Sequence, residues 1–74
     1  MSKDKDRPTY AGFMEMAPHY IAHARAAREL GEHRRAELWF GVARCAYRAA
    51  VEESRNSEEK RAALLALDDP AFDA

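Results

Sequence analysis

Residues 31–50 read GEHRRAELWFGVARCAYRAA, and this stretch decides the fold. Gly31 follows the helical run IAHARAAREL and suits a C′ position, where the backbone turns left-handed. Ala36, Ala43 and Ala50 recur every seven residues, with Trp39, Phe40, Ala46 and Tyr47 between them. Helical periodicity places these residues on one face. Small residues let a neighbouring helix approach, and the aromatics fill the space around the contact. The pattern predicts an αα-hairpin. Hairpins of this kind bind other macromolecules more often than they carry out chemistry.

Working outward, the first long helix is expected from about Pro18 to Leu30. Proline at the first turn loses no intrahelical hydrogen bond there. Tyr20, His23, Ala24, Ala27 and Leu30 form its expected buried stripe, with Arg25 and Arg28 on the opposite side. The second helix is expected from about His33 to Arg55. At about 100° per residue its apolar positions split into two stripes. Ala36, Trp39, Phe40, Ala43, Ala46, Tyr47 and Ala50 form the main one. Leu38, Val42, Cys45 and Ala49 form a narrower one. Arg35 and Glu53 lie between the two on one side. Arg34, Arg44, Arg48 and Arg55, with Glu37 and Glu52, make the polar face.

Two stripes need two partners. The first helix can cover one. The other falls to the third helix, to the N-terminal arm or to another subunit. The third helix is expected from Ser57 to about Leu67. Asn56 is its N-cap and Glu59 stands at N3, as in a capping box. Ala63, Leu64 and Leu67 give it an apolar side, and Asp68-Asp69-Pro70 ends it. Strand-like alternation is absent from the sequence. The expected fold class is therefore all-α. It consists of an antiparallel αα-hairpin, a short third C-terminal helix and an N-terminal arm, assembled as a dimer. Residues 1–7 are expected to be a disordered tail, 8–69 a single helical domain and 70–74 a C-terminal tail. The arm, Pro8 to Ala17, suits one or two helical turns, which Gly12 weakens.

The 74 residues allow one small domain, which is marginal unless something adds to its core. Much of the apolar content is alanine. The large side chains available to a core are Phe13, Tyr20, Ile21, Leu30, Leu38, Trp39, Phe40, Val42, Tyr47, Leu64, Leu65, Leu67 and Phe72. Tyr20, Leu30, Trp39, Phe40, Ala43 and Tyr47 are the expected structural core. With 12 basic and 13 acidic residues the net charge is −1, which argues against strong non-specific nucleic-acid binding. Cys45 is the only cysteine, so an intramolecular disulfide is excluded. No apolar run approaches a membrane span, and the expected location is the cytoplasm, with no membrane partner.

Chemistry has little support in the residues. His19 and His23 have the i, i+4 spacing of a metal pair, but further ligands are needed. The better reading puts His23 in the hairpin seam and His19 at its edge. Ser/His/Asp groupings and Gly-rich phosphate loops are missing, so neither an enzyme nor a cofactor is expected. Cys45 reads as a small buried or interfacial residue rather than a reactive thiol. Arg25, Arg28, Arg34, Arg44, Arg48 and Arg55 are candidate DNA-phosphate contacts. Against that stands a mixed, solvated face, since Glu37 and Glu52 interrupt it. Ala27 and Gly31 have helix-turn-helix spacing, but Glu32 and Glu37 fall where that motif needs apolar residues. Leu38, Val42, Cys45 and Ala49 repeat as a helix–helix seam does and are the leading partner or dimer interface.

Gly31 to Ala36, then Trp39-Phe40 and Ala43, look like the turn and second helix of a tetratricopeptide-type hairpin, with His33 at the usual aromatic position. A single copy cannot build a solenoid. In size and order the chain also resembles the ANR family of small bacterial transcriptional regulators. Tyr20, Ala24, Ala27, Glu29, Leu30, Gly31, Ala36, Leu38, Trp39, Ala43 and Asn56 stand in the order of that pattern, over roughly residues 18–62. An aromatic soon after Asn56 and a closing cysteine are the departures. The resemblance implies transcriptional control by contact with a larger transcription regulator or a nucleoid protein, with Leu38, Trp39 and Ala43 largely structural. The alternative expectation is a dimeric DNA-binding repressor that uses the arginine face of the second helix. Steep salt dependence separates the two, because phosphate contacts release counterions.

Overall fold

A computed structural model describes residues 9–68 and contains three helices, α1 (Tyr10–Glu29), α2 (His33–Glu53) and α3 (Ser57–Leu67). Among the described residues the fold is all-α, with no strand. The two tails expected at 1–7 and 70–74, together with Phe72, lie outside the described residues.

α1 starts eight residues before the expected point. Thr9 caps it, its side chain accepting from the Gly12 N–H at 3.2 Å. Pro18 is inside the helix rather than at its first turn. An internal proline removes one hydrogen bond and crowds the preceding turn, at a cost of roughly 3 kcal/mol. Burial offsets this. Ala17 is fully buried, and Phe13 and Met14 pack against the core, so the arm contributes one face of α1 to the hairpin.

The turn is a Schellman motif. Gly31 N–H donates to the Arg28 carbonyl at 2.9 Å, and Glu32 N–H to that of Ala27 at 2.9 Å. Gly31 has φ 81, a left-handed value that favours glycine. A Cβ at this position would meet nothing within 4 Å. Gly31→Ala therefore tests backbone strain alone. It is expected to cost about 1 kcal/mol, read as a lowered midpoint in urea denaturation followed by circular dichroism.

α1 and α2 run antiparallel. Thr9 and Tyr10 lie near Glu53, Pro18 and Ile21 near Tyr47, and the Arg28 guanidinium over the Phe40 ring. The contact is alanine-rich, as expected. Ala24, Ala27, Ala36, Ala43, Ala46 and Ala50 are buried, with Phe40 and Tyr47 as the large buried residues. Tyr20 and Trp39 are only half-buried at the seam's edge, where their rings stack at 5.8 Å.

Leu30 is 75% exposed and does not belong to the core. It is the C-cap of α1, where the chain leaves the hairpin, and α2 opens there with exposed His33, Arg34 and Arg35. Arg28, expected on the far side, is half-buried, with its guanidinium 4.9 Å from the Phe40 centroid.

α2 ends at Glu53, two residues short of Arg55. The Ser54 hydroxyl donates to the Val51 carbonyl, and Ser54 itself is extended. α3 then has the expected bounds. Asn56 Oδ1 accepts from the Glu59 N–H, and Glu59 Oε1 accepts from the Arg55 N–H, both at 2.9 Å. The box thus reaches one residue further back than its usual form. α3 packs on α2 through Ala63, Ala66 and Leu67. Leu64 and Leu65 are 46% and 64% exposed, against expectation. On an α-helix the face that holds Ala63, Ala66 and Leu67 excludes Leu65 and leaves Leu64 at its border.

Candidate interaction surface

The main stripe of α2 faces α1, and the narrower stripe remains open. Leu38 is 67% exposed, Val42 42%, Cys45 is exposed and Ala49 half-buried. Leu38 and Val42 are thus not core residues. α3 spans only eleven residues and borders α2, and its packing surface is built of two alanines and one leucine. That explains why the stripe is not closed among the described residues.

The candidate phosphate contacts occupy different environments. Arg25, Arg34 and Arg48 are exposed. Arg28 is engaged by Phe40. Arg44 is half-buried. Arg55 sits in the link between α2 and α3, so it is off the line of Arg44 and Arg48, and its backbone is tied to Glu59. Of the arginine face expected on the second helix, Arg34, Arg44 and Arg48 therefore remain on α2, with Glu37 between Arg44 and Arg48 on the wheel. Arg35 pairs with Glu32 at 3.2 Å, an exposed contact of little energetic weight.

His23 reaches the seam by stacking on Trp39 at 4.8 Å, although it remains exposed, and His19 is exposed. Among the described residues there is no group of three or more His, Cys, Asp or Glu side chains arranged to hold a metal ion. Nor is any helix there long and apolar enough to cross a membrane.

Two features of this surface escaped the sequence reading. The Arg28–Phe40 contact depends on how closely α1 approaches α2, which no spacing rule gives. The exposure of Leu65 could have been anticipated, since it lies about 200° around the helix from Ala63.

Comparison with models of protein families, with curated proteins and with solved structures found no match to this chain.

Proposed function

We propose that this chain is a helical protein–protein interaction module, serving as a small regulator that acts by binding another protein rather than by catalysis. The observation that supports it is the open apolar stripe on α2, where Leu38 and Val42 are 67% and 42% exposed on a regular helix. A seam-spaced apolar face on a rigid helix is suited to docking against a second helix. The resemblance to small bacterial transcriptional regulators gives this module its most specific reading, control of transcription through contact with a larger regulator or nucleoid protein.

Val42→Glu is the test. The side chain is partly exposed, so helix content by circular dichroism should be unchanged and stability should fall by less than about 1 kcal/mol. Association should weaken roughly tenfold or more, because a carboxylate would enter an apolar contact. Sedimentation and pull-down with the wild-type and Val42→Glu chains read that loss. Unchanged association in both would remove the stripe from the account. Fluorescence anisotropy with duplex DNA, including the chain's own promoter, checks the repressor reading. Saturable binding that survives near-physiological salt would put the arginine face in its place.

A further inference from the structure

The open stripe is symmetric about its own midpoint. Leu38 and Ala49 lie equally far from the point between Ala43 and Arg44, and so do Val42 and Cys45. The same point is midway between Arg34-Arg35 at one end of α2 and Glu52-Glu53 at the other. At about 100° per residue, Arg35 and Glu53 fall on one edge of the stripe and Arg34 and Glu52 on the other. All four side chains are exposed.

These charges oppose the dipole of their own helix. A helix N-terminus favours acids and a C-terminus favours bases. α2 has no acidic residue in its first turn and no basic residue in its last. The Arg35–Glu32 pair relieves part of this, but with side chains 67% and 43% exposed respectively it can rearrange easily.

A second α2 laid antiparallel on the stripe would answer both features. Arg34-Arg35 of one copy would meet Glu52-Glu53 of the other, and symmetry would repeat the contact. Leu38 would face the small Ala49, and Val42 would face Cys45. A parallel pair would instead set arginine against arginine and glutamate against glutamate. The core also favours an added partner, since among the described residues no large side chain is fully buried.

We infer that the occupant of the stripe is a second copy of this chain, in an antiparallel two-fold pairing of α2 helices centred between Ala43 and Arg44. The inference rests on the reading of the stripe as an interaction surface and names its partner. Such a contact is isologous, each patch complementing itself.

Charge reversal tests it in the full chain. Arg34→Glu with Arg35→Glu is expected to weaken the dimer about tenfold or more, as is Glu52→Arg with Glu53→Arg. Each reversal brings α2 into better agreement with its dipole, so helix content should hold. Mixing the two variants should restore a dimer of wild-type affinity by sedimentation velocity. Orientation is read by crosslinking. Under mild oxidation, in chains that also carry Cys45→Ser, a Leu38→Cys chain mixed with an Ala49→Cys chain should give a disulfide-linked dimer, while the Leu38→Cys chain alone should not crosslink. Leu38 is offset from its own symmetry mate by eleven residues, about 16 Å along the helix and beyond disulfide reach.

A wild-type chain that is monomeric over the micromolar range would overturn the second-copy inference. The interaction-module reading would then stand or fall on whether Val42→Glu abolishes binding of another protein. A dimer unmoved by either reversal, or a Leu38→Cys chain (with Cys45→Ser) that crosslinks to itself, would overturn the antiparallel pairing.

Discussion

Replacing Phe40 by alanine is expected to leave the chain largely unfolded near room temperature. Phe40 is one of two large residues in a buried set otherwise made of alanines. Removing a buried phenylalanine costs roughly 3–5 kcal/mol, from lost transfer energy and the cavity left behind. A core in a domain this small supplies about that much in total. The substitution also strips Arg28 of its ring partner, a contact of about 0.5–1 kcal/mol at a partly exposed site. Thermal denaturation followed at 222 nm (a wavelength that reports helix) should show a broad or absent transition for Phe40→Ala. Trp39→Ala, at a half-buried residue, should retain one. If the two variants melt alike, the hairpin is not organised around Phe40.

Ala43→Leu should be nearly as damaging, for the opposite reason. Ala43 and Ala24 are both fully buried, in a contact where two helices meet through methyl groups. A larger side chain there must push α1 and α2 apart or leave its rotamer, at roughly 1–3 kcal/mol. The separation would also draw Arg28 away from Phe40 and Tyr20 from Trp39, so the cost is expected near the upper end. Ala22→Leu is the control, since Ala22 is exposed and leucine is almost as good a helix former. Urea midpoints of the two variants should differ clearly. Equal midpoints would mean that the small-residue face does not set the distance between the helices.

The two predictions share one physical picture. Alanines bring α1 and α2 close but bury little area each, so stability depends on a few aromatics. Such a hairpin is sensitive to changes on its inner face and tolerant on its outer one. That contrast separates the folding variants from those on the α2 stripe, whose expected effects fall on association.

Features set by a few neighbouring residues were legible in the sequence. Gly31 closes α1 because its backbone needs a left-handed residue, and the two carbonyl contacts that follow are local. Asn56 and Glu59 start α3 through bonds spanning three and four residues. The main stripe of α2 follows from helical periodicity, and Ala36, Phe40, Ala43, Ala46, Tyr47 and Ala50 are all buried. The narrower stripe was legible as a second apolar face, though its occupant was not.

Tertiary structure decided the rest. Pro18 is a poor interior residue by local rules, yet α1 runs through it because Phe13, Met14 and Ala17 find α2 to pack against. Leu30 is apolar and in phase with the stripe, yet it is exposed because the hairpin has ended where it stands. Arg28 looks like a solvent residue until the approach of α2 places Phe40 under it. Leu64 and Leu65 are equally apolar, and the position of α2 selects neither as the buried contact of α3. The sequence by itself determined where α2 and α3 begin and which face of α2 is buried, because caps, turns and periodicity act over three to seven residues. Only the tertiary structure decided how far α1 extends, which apolar side chains remain uncovered and which arginine is held, because those depend on what a second helix places opposite each residue.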